Sequence, residues 1–189
     1  MLKRDFMNTQ AQENIRKGEK MSDYYTYDKQ IKFKSWGKLK KQMEGLLCDK
    51  LKGKITYFFT SYSVMENCFG RGAINYEKTE IATFCWTDYF NKQLPEERKT
   101  GISREELMKE DFMKNCTLCE ADFIYAMTLF LKTDIEHSLN SDNYLLRVFA
   151  FMDKRVGKRT LLKIKDDVSA LPKWVQEFYK LRCEAESIN

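Results

Sequence analysis

The chain has 189 residues, 43% of them apolar and 14% aromatic, which suits one domain with a substantial core. Lys and Arg number 33 against 28 Asp and Glu, with a single His, for a net charge of +5. No window approaches the roughly 18 apolar residues that span a bilayer, and residues 1–20 lack the apolar stretch of a secretory signal. Six cysteines without such a signal imply free thiols in a reducing compartment, so a cytoplasmic protein with no membrane partner is expected. Composition and motifs name no reaction.

Residues 1–34 read as a polar arm without apolar periodicity. Lys17-Gly-Glu-Lys-Met21 can be back-translated to a purine-rich ribosome-binding sequence just before a start codon. One reading therefore starts a bacterial gene product at Met21. The other keeps Met1 and makes 1–20 a polar extension. From 35 to 186 the pattern is that of a single α+β domain. Ser35 can cap a helix whose stripe is Trp36, Leu39, Met43, Leu46, Leu47 and Leu51, with Lys34, Lys38 and Lys41 opposite and Gly53 as its stop.

Lys54 to Ser63 is rich in β-branched and aromatic residues and reads as a strand. Phe69-Gly-Arg-Gly72 reads as a turn, followed by strands at 73–76 and 81–86 that complete a three-stranded antiparallel meander. The second half turns helical. Ser103-Arg-Glu-Glu106 is a capping box opening a helix to about Asn115. Phe123, Ala126, Met127, Phe130 and Leu131 mark a helix over 119–132. Ser141 is the expected cap of a helix over 142–154, ended by Gly157 at positive φ. A short basic helix follows at 158–165. Pro172 opens a last helix carrying Trp174, Val175, Phe178 and Leu181. The expected core joins Trp36, Leu39, Met43, Leu46, Phe58, Phe84, Phe123, Met127, Phe130, Leu145, Val148, Phe149, Met152, Trp174 and Phe178.

Several of these segments together resemble a family of small bacterial proteins of unknown function. They are Trp36-Gly-Lys-Leu-Lys-Lys-Gln-Met-Glu44, Leu51-Lys-Gly-Lys-Ile-Thr-Tyr57, Gly70-Arg71, Asp153-Lys-Arg-Val-Gly-Lys-Arg-Thr-Leu161 and Pro172-Lys-Trp-Val-Gln-Glu-Phe-Tyr-Lys-Leu-Arg182. Members of that family are sometimes labelled nonribosomal peptide synthetases. A chain of 189 residues with no Gly-rich phosphate loop or carrier serine motif does not fit that label. The resemblance implies a fold and brings no catalytic residue.

The chemistry-bearing candidates are few. Cys116-Thr-Leu-Cys119 is a lone CxxC without the second ligand pair that zinc requires, so structural cysteines, no metal and no cofactor are expected. His137 is the single histidine and reads as a surface or capping residue between two helices. Glu105, Glu106, Glu110 and Asp111 read as a solvated face. No catalytic residue is assigned.

Ser138 to Lys165 stands apart. An almost wholly apolar helix there runs into seven basic residues set against Asp142 and Asp153. Arg147, Asp153 and Arg155 are expected to form an internal ion network, because a buried Arg needs a carboxylate or several carbonyls. Lys154, Lys158 and Arg159, with Arg71 from the expected turn at 69–72, are the expected anion-binding set. The leading expectation is a non-enzymatic protein that inhibits or neutralises a partner protein. One alternative binds nucleic acid through the Lys-rich 29–54 and 154–165 segments, with strand aromatics such as Tyr57 and Tyr62. Another is an enzyme acting on a phosphorylated small ligand.

Overall fold

A computed structural model gives the fold and describes residues 36–64, 67–85, 118 and 120–188. The polar arm, Ser35, the capping-box helix, the acidic face, Cys116 and Cys119 lie outside the described residues.

Helix α1, Trp36–Leu46, turns Met43 inward and leaves Lys38 and Lys41 in solvent. It stops seven residues short of Gly53. Leu47 leaves the helix to pair with Asp153, and two flanking bonds complete a small ladder: Cys48 N–H to the Met152 carbonyl (2.9 Å) and Lys154 N–H to the Leu46 carbonyl (2.8 Å). Tertiary pairing thus overrides the helical stripe, although Leu47 and Leu51 remain buried. Gly53, at φ +79, serves the tight turn into the first strand rather than the helix end.

Strands β1 (Ile55–Val64), β2 (Asn67–Tyr76) and β3 (Thr79–Cys85) form an antiparallel sheet in the order β1-β2-β3. Glu77 and Lys78, both at positive φ, make the two-residue turn between β2 and β3. The pairing shifts by a bulge at Ile74/Asn75. Helix α2, Glu120–Phe130, lies on the inner face of this sheet.

The expected turn at Phe69–Gly72 is instead the middle of β2. Its glycines answer to packing, not to chain reversal. A Cβ on Gly72 would meet the Phe123 ring at 2.6 Å, and one on Gly70 would meet the Thr60 carbonyl oxygen at 2.6 Å and Glu120 Cγ at 2.9 Å. Two missing side chains let α2 approach the strand closely.

Alternation along the strands puts Ile55, Tyr57, Ile74, Ala82 and Phe84 inside. Phe58, expected in the core, falls on the other parity and is 42% exposed. Trp36, Leu39 and Leu46 are half-buried rather than central, and Trp36 meets the half-buried Phe59 at a ring distance of 5.4 Å.

The helical half continues with α3, Ile135–Leu139, capped by Asp134. His137 therefore sits within a short helix, exposed, rather than between two helices. Helix α4, Tyr144–Met152, begins at Asn143, whose side chain accepts the Leu145 N–H; Ser141 instead accepts the Asn143 N–H. Seven of its nine residues are buried. Helices α5 (Lys158–Lys163), α6 (Lys165–Ser169) and α7 (Lys173–Ala185) follow, and α7 packs on α4. Pro172 occupies the N-cap of α7, one position earlier than expected.

The core joins the layers through aromatics. Phe123 stacks on Phe84 at 4.7 Å and meets Phe149 of α4 at 6.1 Å. An N-terminal helix, a three-stranded antiparallel sheet and a helical C-terminal half make the α+β architecture.

Candidate binding surface

Asp153 ends α4, and its extended backbone (φ −75, ψ 139) turns the chain toward α5. Its side chain is fully buried and accepts three bonds from Arg155: backbone N–H (2.8 Å) and Nε (3.0 Å) at Oδ1, and Nη2 (2.7 Å) at Oδ2. The fork geometry is the strong, bidentate form of an Arg–carboxylate pair. The hydrogen bond to Asp153 raises the Arg155 guanidinium above its ordinary value against the opposing effect of burial. The guanidinium also lies 5.6 Å from the Phe130 ring centroid. Arg147, expected in the same network, instead donates Nε to the Ser141 carbonyl at 2.6 Å, tying the segment before the N-cap of α4 to the first turn of the helix.

The expected binding cations are placed unequally. Lys154 donates Nζ to the Gly45 carbonyl at 2.9 Å, covering the C-terminal end of α1, where a cation is favoured. Lys158 donates to the Glu186 carbonyl at 2.7 Å and lies 3.9 Å from the Glu186 carboxylate. Arg159 is exposed and has no ion pair among the described residues. Arg71 is held elsewhere, on the outer face of β2, where it pairs with Glu80 and lies over the Phe58 ring. Gly157 differs from expectation. It holds φ −85 and ψ 170 as the N-cap of α5, and a Cβ there would meet nothing within 4 Å. The end of α4 is set by Asp153, so no left-handed residue is needed.

Two structural residues were invisible to the local pattern. Arg182 of α7 is 3% exposed, donates Nη2 to the Val156 carbonyl at 2.8 Å and lies 3.2 Å from Glu186. Burial lowers its guanidinium from the ordinary value, and the Glu186 charge opposes that effect. The Arg182–Glu186 spacing of four was readable as a helix pair. Its reach to Val156 was not. Leu162 is the other. Leu161 beside it is buried, so the opposite side of α5 presents Arg159, Leu162 and Lys163, with Leu162 51% exposed.

Two phenols in the described residues have raised pKa values: Tyr57 in the core between sheet and helices, and Tyr179, whose hydroxyl donates to the Leu161 carbonyl of α5. Burial first, then the charges of Glu44 and Asp153, hold Tyr57 far above its ordinary value. Tyr179 is pushed up to about 12 by burial, then by Cys183 and Asp166. Tyr57 is 2% exposed, so it is no stacking platform for a nucleobase. Both phenols ionise more readily in the unfolded chain, so their stabilisation is complete below about pH 10 and is lost as pH rises beyond it. Denaturation midpoints should fall between pH 9 and pH 11, and Tyr57→Phe should lose less over that interval than the parent. An unchanged midpoint would contradict the burial of these phenols.

No described helix is long and apolar enough to cross a membrane. Among the described residues no group of three His, Cys, Asp or Glu side chains is placed to hold a metal ion. No curated protein and no solved structure matches the chain. The model of the SF0329 protein family matches residues 35–183, and the chain belongs to that family.

Proposed function

We propose that the protein is a non-catalytic binding protein of the bacterial cytoplasm, and that its partner is a protein with an acidic surface. The receiving face is that of α5, with Arg159, Leu162 and Lys163. Leu162 is the observation that carries this reading: a large apolar side chain 51% exposed between two exposed cations. Interface centres favour apolar contact and Arg, with charge complementarity guiding the approach. Lys154 adds to the field, because a bond to a carbonyl leaves its charge uncompensated. The thiols Cys48 and Cys183, which form no disulfide, fit a reducing compartment.

One observation favours nucleic acid as a second reading. The ladder between 46–48 and 152–154 brings the later part of the 29–54 segment to the start of the 154–165 segment, although Gly45 and Lys154 lie 109 residues apart. Partner capture from the source cells separates the readings. Leu162→Asp should lose the captured protein while stability stays within about 0.5 kcal/mol of the parent. Retention of the same protein by that variant would sink the first reading. Binding of a single-stranded oligonucleotide that weakens steeply with salt, and weakens further in Arg159→Glu, would establish the second.

A further inference from the structure

We propose that the outer stripe of α5 and α6 pairs antiparallel with the same stripe of a second copy of this chain, with Leu162 at the centre and Arg159 of each copy against Asp166 of the other. The two short helices form one ridge. Ile164 is the single residue between them, and helical bonds run through it: Ile164 N–H to the Thr160 carbonyl (3.1 Å) and Val168 N–H to the Ile164 carbonyl (2.9 Å). Leu161 and Val168 are buried, and Thr160 and Ile164 are half-buried. The inner side thus recurs at helical spacing through both pieces. The opposite side carries Arg159, Leu162, Lys163 and Asp166, at i, i+3, i+4 and i+7.

All four residues are exposed, Leu162 by 51%. Arg159, Lys163 and Asp166 have no ion pair among the described residues. The fold therefore uses neither the apolar side chain nor the three charges. Interfaces place apolar contact at the centre and charge at the rim. This stripe has that arrangement within about two helical turns.

Charge decides the occupant. Arg159 and Asp166 lie on one line of the ridge with Leu162 between them. Turning a second copy end for end about Leu162 sets each Arg159 against the other copy's Asp166 and each Leu162 beside its twin. An isologous interface requires this self-complementarity. A polyanion or an acidic protein laid along the whole ridge would meet Asp166 and its exposed neighbour Asp167 as like charges. Packed helices have axes about 8–10 Å apart, a gap that the two leucines fill. Residues 158–169 span roughly 18 Å at 1.5 Å per residue. A contact of that length is smaller than the roughly 800 Å² per partner of stable complexes, so the dimer is weak and concentration-dependent. The acidic partner proposed above takes α5 alone, so pairing covers the receiving face and the two events exclude each other. That exclusion rests on the partner reading; the pairing does not.

Sedimentation equilibrium of the full chain from about 10 µM to about 1 mM tests the proposal, spanning the affinity expected of a small interface. The parent should move from the mass of one chain toward that of two, and Leu162→Asp should stay at one. Arg159→Asp makes both ends of the stripe acidic, and Asp166→Arg makes both basic. Each alone should be monomeric. An equimolar mixture of the two should associate, because each end then meets its opposite charge. The double variant with both changes exchanges the two charges and should associate like the parent. Recovery in the mixture and in the double variant separates lost pairing from lost folding. A parent that remains monomeric throughout overturns the proposal. So does a Leu162→Asp variant that associates like the parent, or a mixture and a double variant that associate no more than the single variants. None of these masses depends on the acidic partner, so failure here leaves that reading untouched, and its failure leaves the masses unchanged.

Discussion

Phe149→Ala is expected to lower the unfolding free energy by about 3–5 kcal/mol. The ring is buried and meets Tyr57 edge-on at 6.1 Å, Phe123 at 6.1 Å and Phe130 at 5.6 Å. Those partners belong to β1 and α2, so one side chain of α4 closes the helical half onto the sheet. Truncation leaves a cavity that three rings on two other elements cannot jointly collapse. Phe149→Leu keeps most of the volume and should cost about 1.5 kcal/mol or less, if neighbouring side chains repack. Urea midpoints at constant slope measure both. A loss below about 1 kcal/mol for the alanine variant would mean that the aromatic cluster is not the joint between layers.

Arg155→Ala should cost about 3–5 kcal/mol, the range for breaking a buried pair. The two partners are not equivalent. The Asp153 side chain has no exposure, whereas Arg155 is 39% exposed. Removing the arginine strands a buried carboxylate with one backbone N–H. Removing the carboxylate leaves an arginine that can turn to water. Asp153→Asn should therefore be milder than Arg155→Ala. The double variant should be more stable than Arg155→Ala alone, because neutralising position 153 removes the unmatched charge. Thermal or urea unfolding of the three variants checks the order. If Arg155→Ala melts like the parent, or the double variant is the least stable, the pair does not hold the turn.

Much of the fold was legible because periodicity reports which face is buried. Phe123, Met127 and Phe130 in α2, and Trp174, Val175 and Phe178 in α7, follow helical spacing and are all buried. The larger failures share a cause: they depend on a neighbour that the local pattern does not show. Gly70 and Gly72 have the composition of a turn, and only the approach of Phe123 and Glu120 explains them within a strand. Tyr57-Phe58-Phe59 is an unbroken aromatic run, so alternation could not say which ring faces inward. Gly157 looked like a helix stop because Asp153, buried against Arg155 and paired with Leu47, was not visible as one. The candidate site was legible as a basic segment but not as individual roles. Lys154 is committed to Gly45 and Lys158 to Glu186, across 109 and 28 residues. Arg159 differs from them in nothing that spacing reveals.

The ladder that joins residues 46–48 to 152–154 sets a schedule for biosynthesis. At about 5–20 residues per second, the 109 residues from Gly45 to Lys154 take roughly 5–20 s to translate. Through that interval the end of α1 lacks its eventual partners at 152–154, and Leu47 has no Asp153 to pair with. The amino-terminal half is thus the part most in need of a chaperone on the ribosome. A ribosome stalled before codon 154 should hold a nascent chain that proteases cut readily, and one stalled after the chain has fully emerged should not.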